Sequence, residues 1–221
     1  VERNRSGAVR IVLVLPLSFP TMRSTGAIVL LVIVLLIGFA GCAGCGTYNS
    51  LVAADTRVEE EWANLESVYQ RRADLIPNLV ATVQGAADFE QETLTAVTEA
   101  RTRAVNIELT GDDLDDASRV QAFQNAQTEL AAATGSLINL VREDYPELGA
   151  TDAFRDLQVQ LEGTENRINT QRRDYNAVVA DYNQSVRTFP NNLIAGITGF
   201  GRKVPFEAEA GAENAPDVSF D

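Results

Sequence analysis

Residues 151–189, TDAFRDLQVQLEGTENRINTQRRDYNAVVADYNQSVRTF, decide the fold. Phe154, Leu157, Leu161, Thr164, Ile168, Gln171, Tyr175, Val178, Tyr182, Val186 and Phe189 recur there in steps of three and four, the period of one face of a helix. At about 1.5 Å per residue, a helix of this length is too long to be buried in a compact mixed fold. It must lie against other long helices. The spacing therefore predicts an all-α protein, an antiparallel up-and-down four-helix bundle.

The same period recurs upstream. A first helix carries Leu51, Asp55, Val58, Trp62, Leu65 and Tyr69, and a second carries Ile76, Val80, Val83, Ala87, Leu94, Val97 and Ala104. Pro77 falls between them, where it lacks an N–H and disfavours the helical region at Ile76. A kink or a turn is expected there, the turn being favoured, with Asp74 as N-cap. The third helix carries Val120, Phe123, Gln127, Leu130, Thr134, Leu137 and Val141 and stops at Asp144-Tyr145-Pro146. Thr151 then caps the fourth helix, with Asp152 near the positive end of its dipole. The bundle is assigned to residues 47–189. Residues 190–221 read as a glycine-rich apolar segment that wraps one bundle end, then an acidic tail with Phe206, Val218 and Phe220 as docking points.

Before the bundle, residues 26–46, GAIVLLVIVLLIGFAGCAGCG, form an uncharged run long enough to cross a hydrocarbon core of about 30 Å. Three readings stay open: a retained single-span transmembrane helix, a lipoprotein acylated at Cys42 after a lipobox-like Phe39-Ala40-Gly41, or a cleaved secretory signal. Arg3, Arg5, Arg10 and Arg23 precede the run and Glu59-Glu60-Glu61 follow it. By the positive-inside rule the N-terminus lies in the cytoplasm and the bundle is extracytoplasmic. Residues 1–25 read as an unstructured extension or a mis-assigned start, Met22 being a better one.

Composition removes whole classes of function. Eighteen basic against thirty-one acidic residues give a net charge of −13, which repels nucleic acid and anionic lipid headgroups. There is no histidine, and with it go the commonest general base and zinc ligand. No Ser or Cys nucleophile sits beside a base and no glycine-rich phosphate loop follows a strand. Cys42 and Cys45 fall in the apolar run and frame no disulfide scaffold in the bundle. The chain is not expected to be an enzyme or to carry a cofactor or metal.

Polar residues on the helical faces are the remaining candidates. Arg71, Arg72 and Asp74, with Glu162, Glu165, Asn166, Arg172 and Arg173, can form an interhelical network. The alternatives are a register device and a carboxylate-rich ligand site. Asn166, Asn169, Asn176 and Asn183, with Tyr175 and Tyr182, place amides and phenols along the fourth helix. The tyrosines read as core with a wet end, and the exposed remainder as a docking face for another helix. Pro77, Asn78, Tyr175, Asn176, Phe189, Pro190 and Phe200 are candidate helix-end or interaction residues.

Four runs carry a family resemblance: YNSLV at 48–52, RRADLIPNLVATVQG at 71–85, LEGTENRI at 161–168 and RRDYNAVVADYNQSVRTFPNNLIAG at 172–196. In order and spacing they resemble the LemA family of bacterial membrane-associated proteins, over essentially all of residues 47–221. The resemblance implies an N-terminal membrane segment followed by an antiparallel four-helix bundle, and supplies no reaction. Cys42, Cys45 and the extra N-terminal residues depart from the family's pattern. The expectation is a membrane-anchored scaffold or adaptor of the bacterial cell envelope. It would act by contacts with an unidentified envelope protein, as a homo-oligomer or not. A small-ligand or sensor bundle using the polar core, and a lipid-anchored structural lipoprotein, are the alternatives.

Overall fold

A computed structural model describes residues 25–85 and 90–206, without the side chains of residues 25 and 39–43. Every regular element among them is helical: α1 (Thr25–Gln84), α2 (Gln91–Asn106), a 3-10 turn (Gly111–Asp115), α3 (Ala117–Asp144), the four-residue α4 (Pro146–Gly149), α5 (Asp152–Arg187) and α6 (Asn191–Thr198). The chain divides into two units, residues 1–43 and 44–221. Residues 1–24, 86–89 and 207–221 lie outside the description, so the N-terminal extension, Ala87, Val218, Phe220 and the acidic tail are not placed.

In the first unit, the side chains of residues 28–37 are all exposed. Among the described residues no helix is long and apolar enough to cross a membrane. Residues 39–43, the later part of the apolar run, fall outside that test, and Cys42 with them.

In the second unit, local chemistry sets the helix ends. Asp116 caps α3 by accepting from the N–H groups of Ser118 (2.8 Å) and Arg119 (3.3 Å). Thr151 caps α5, its hydroxyl accepting from Phe154 N–H at 3.4 Å, with Asp152 in the first turn and Arg187 in the last. These caps satisfy amides that a helix start otherwise leaves bare.

The expected turn at Pro77 does not form. Pro77 lies inside α1, which continues to Gln84, and the next helix, α2, begins at Gln91. The second helix of the sequence reading is thus split: Ile76, Val80 and Val83 belong to α1, Leu94, Val97 and Ala104 to α2. A proline in a helix interior leaves the carbonyl four residues earlier without its partner. Here that carbonyl belongs to Ala73, and Arg101 Nε on α2 donates to it at 2.8 Å. A side chain from the neighbouring helix replaces the missing amide.

The segment after α5, read from sequence as wrapping one bundle end, begins with α6, whose C-terminus is closed by Gly199 at φ 84°, a left-handed conformation suited to glycine. The chain then runs extended from 200 to 206.

The interior has two halves. One is mostly aliphatic, with Ile76, Leu79, Val83, Leu94, Val97, Leu130, Leu137, Val141, Phe154 and Leu161. The other is aromatic-rich, with Trp62, Tyr69, Phe123, Tyr175, Tyr182 and Phe206 among Val58, Leu65, Leu109, Leu114 and Ile168. Along α1 the division falls between Tyr69 and Leu75, along α3 between Phe123 and Ala126, and along α5 between Leu161 and Ile168. A polar layer occupies that level.

Candidate functional site

Arg72 is the hub of the polar layer. It is 4% exposed, and its guanidinium donates to Glu165 Oε2 on α5 at 3.0 Å and to the carbonyl and Oε1 of Gln127 on α3 at 2.8 and 2.7 Å. Gln127 in turn donates from Nε2 to the carbonyl of Ala104 on α2 at 3.3 Å. One guanidinium therefore ties together α1, α3 and α5 and, through Gln127, α2. Planar, fixed donors suit arginine to this work. Burying the charge is tolerable because it meets a carboxylate and two further acceptors.

One layer away, Phe206 from the extended segment is inserted among aromatic rings of three helices. It stacks on Trp62 with centroids 5.9 Å apart at 15°, and meets Tyr175 edge-on at 5.3 Å and Phe123 at 6.3 Å. Trp62 donates from Nε1 to the carbonyl of Leu109 at 3.1 Å, so its buried N–H is satisfied. The Arg172 guanidinium lies over the Phe206 ring, 5.7 Å from its centre. Such ring pairs add to plain burial.

The segment is held by its backbone. Asn176 donates from Nδ2 to the carbonyl of Phe206 and accepts at Oδ1 from its N–H, both at 2.8 Å. Asn183 does the same for Lys203, at 2.8 and 3.0 Å. Between them the Tyr175 hydroxyl donates to the carbonyl of Val204 at 3.1 Å, whose N–H donates to Leu114 at 2.8 Å. The spacing is geometric. Seven helical residues rise about 10.5 Å, and three extended residues cover about 10 Å. Two asparagines seven apart on a helix thus match two peptide units three apart on a strap running the opposite way. At its start Lys203 donates from Nζ to Gly111 at 2.9 Å and pairs with Asp55 at 3.4 Å.

A family model for the LemA family matches residues 61–220, a range that contains both the polar layer and the strap. The chain belongs to the LemA family. Two relatives are magnetosome proteins MamQ 1 and MamQ 2 of Paramagnetospirillum magneticum, each 29% identical over 188 residues, covering 78% of this chain and 68% of theirs. Protein LemA of Metamycoplasma hominis is 25% identical over 166 residues, covering 75% of this chain and 71% of its own.

In this LemA-family chain the network residues separate. Arg72 and Glu165 meet. Arg172 lies at the strap instead. Arg71 is exposed, Asp74 accepts from Gln70 at 2.9 Å and Glu162 from Gln158 at 2.9 Å. Arg173 donates to the Asn169 carbonyl at 3.2 Å, and the Asn166 carbonyl accepts from Thr170 at 3.1 Å. These are contacts within one helix turn. Asn78 likewise accepts at its carbonyl from Thr82 at 2.9 Å. Phe200 packs on Tyr48 at 5.9 Å, while Phe189 and Pro190 are exposed.

Tyr175 and Asn176 hold the strap, together with Asn183. The fourth helix thus receives an extended segment of its own chain where another helix was expected. Gln127, Lys203 and Phe206 complete the arrangement. The available signal was the repeat Asp-Tyr-Asn at 174–176 and 181–183, seven residues apart.

Two clefts occur among the described residues. One of about 780 Å³ is lined by Thr82, Asp144, Tyr145, Pro146 and Thr151 among others. The other, about 100 Å³, lies between Glu66, Tyr69, Glu108 and Gln127. Neither is lined by Glu162, Glu165 or Arg72. In the smaller one, burial and the neighbouring Glu108 carboxylate push the Glu66 carboxyl above its usual range.

Proposed function

We propose that this LemA-family protein is a membrane-anchored, non-catalytic scaffold: an antiparallel four-helix bundle carried outside the cytoplasm by the apolar run of residues 26–46, acting through contacts with another envelope protein. The observation that carries the reading is the polar layer. Arg72 spends its charge on Glu165 and Gln127, and the layer lies between packed apolar halves. Such an arrangement fixes helix register. Membrane attachment draws support from the exposed side chains of residues 28–37 and from relatives named as magnetosome and LemA proteins.

The test is cross-linking of the full chain in its native membranes, followed by identification of the joined peptides. Lys203 is the single lysine and is buried in its ion pair, so carboxyl-directed chemistry is required. Recurrent links to one envelope protein are the expected result. Links only between copies would reassign the protein to self-assembly, and a complete absence of links would remove the scaffold reading. Intact mass of the same material separates a retained span from cleavage and acylation at Cys42.

A further inference from the structure

α6 presents an apolar face to solvent. Phe189 is 75% exposed, Leu193 57% and Ile197 83%, and their spacing of four puts them on one side of the turn and helix. On the other side α6 packs against the start of the bundle part of α1. Ala195 is 2% exposed, Ile194 Cδ1 lies 3.7 Å from the position of a β-carbon on Gly44, and the following Phe200 meets Tyr48. Tyr48 and Val52 are themselves 43% and 38% exposed. Among the described residues beyond residue 37, only Val159 joins these five as an exposed large apolar side chain.

Charge selects the occupant of this face. No charged residue falls between Arg187 and Arg202, both exposed, in a chain whose net charge is −13. An uncharged apolar stripe bracketed by two arginines suits the boundary between acyl chains and anionic headgroups, with an amphipathic tyrosine beside it. In sequence, Gly44 lies at the end of the apolar run and Tyr48 just after it. We infer that α6 is an interfacial helix that inserts Phe189, Leu193 and Ile197 into the surface of an anionic bilayer, a second membrane contact. The inference rests on the membrane attachment proposed above.

The test uses the full chain in vesicles of equal parts phosphatidylcholine and phosphatidylglycerol, with Cys42→Ser and Cys45→Ser as background. Ile197→Cys or Val159→Cys carries an environment-sensitive fluorophore, and spin-labelled lipids act as quenchers. Strong quenching at position 197 with none at 159 is expected. A Phe189→Cys label should lose its quenching when Leu193→Asp and Ile197→Asp are added, while flotation with vesicles and helical circular dichroism stay unchanged. Equal, weak quenching at 197 and 159 in protein that floats would overturn the inference and leave the anchor intact. Failure to float would overturn both. Disulfide cross-linking between Ile197→Cys copies without lipid quenching would assign the face to a second copy and overturn the lipid reading.

Discussion

Two tyrosines seven residues apart on α5 have hydroxyls in opposite circumstances. Tyr175 donates to Val204, whereas the buried hydroxyl of Tyr182 has no hydrogen-bond partner among the described residues. An unmade buried hydrogen bond costs more than a removed pair. Tyr182→Phe should therefore raise stability by up to about 1 kcal/mol in urea titration, and Tyr175→Phe should lower it by about 1 kcal/mol. Burial raises the titration of both phenols, with Asp55 and Asp115 adding to it at Tyr182. The folded state thus holds these protons more tightly than the unfolded chain. That contribution is complete below the ordinary tyrosine range and is lost as pH rises above it. Glu66 has the same sign in the acid range: its raised titration means stability falls as pH rises through the carboxylate region. Glu66→Gln should flatten that slope, with a gain at neutral pH below about 1 kcal/mol because solvent screens the group. A pH series of thermal melts checks it.

At the scale of elements, Pro77 shows how far sequence reading reached. The heptads made the helical class plain, and the caps at Thr151 and Asp152 were visible because capping is local. The continuation of α1 through Pro77 was not, since the donor that repairs the helix, Arg101, comes from another element. The Arg72 layer was half visible: Glu165 and Arg72 could be nominated by type, but Gln127 looked like one more residue on a stripe. Arg101→Leu should cost about 1–3 kcal/mol by stranding the Ala73 carbonyl. In a Pro77→Ala background the cost should shrink, because the introduced alanine supplies the missing N–H, and a double-mutant cycle reads the coupling directly. Glu165→Ala leaves the buried guanidinium without its carboxylate and should broaden the unfolding transition. Equal cost with unchanged cooperativity would argue against a register role for the layer.

Across the whole bundle unit, the strap ties α1, the 3-10 turn and α5 together. Phe206 could be named as a docking point by type, but the strap's partners are peptide groups, which every residue carries, so its path was not legible; the Asp-Tyr-Asn repeat marked only the receiving side. Phe206→Ala should cost about 3–5 kcal/mol, the range for deleting a buried aromatic ring. Hydrogen exchange should then rise on α1 around Trp62 and Tyr69 more than around Leu79 and Val83. Equal loosening in both regions would show that the two halves of the core do not open separately.

The strap also imposes an order on synthesis. Chains emerge from their N-terminus, and Phe206 follows every described helix. The aliphatic half can assemble once α5 has begun to emerge, whereas the rings around Trp62 must wait, unfilled, until residue 206 arrives. During that interval Trp62, Phe123 and Tyr175 lack the ring they pack against in the folded chain. Arrival of Phe206, more than formation of any helix, is the event that closes the aromatic half of the core.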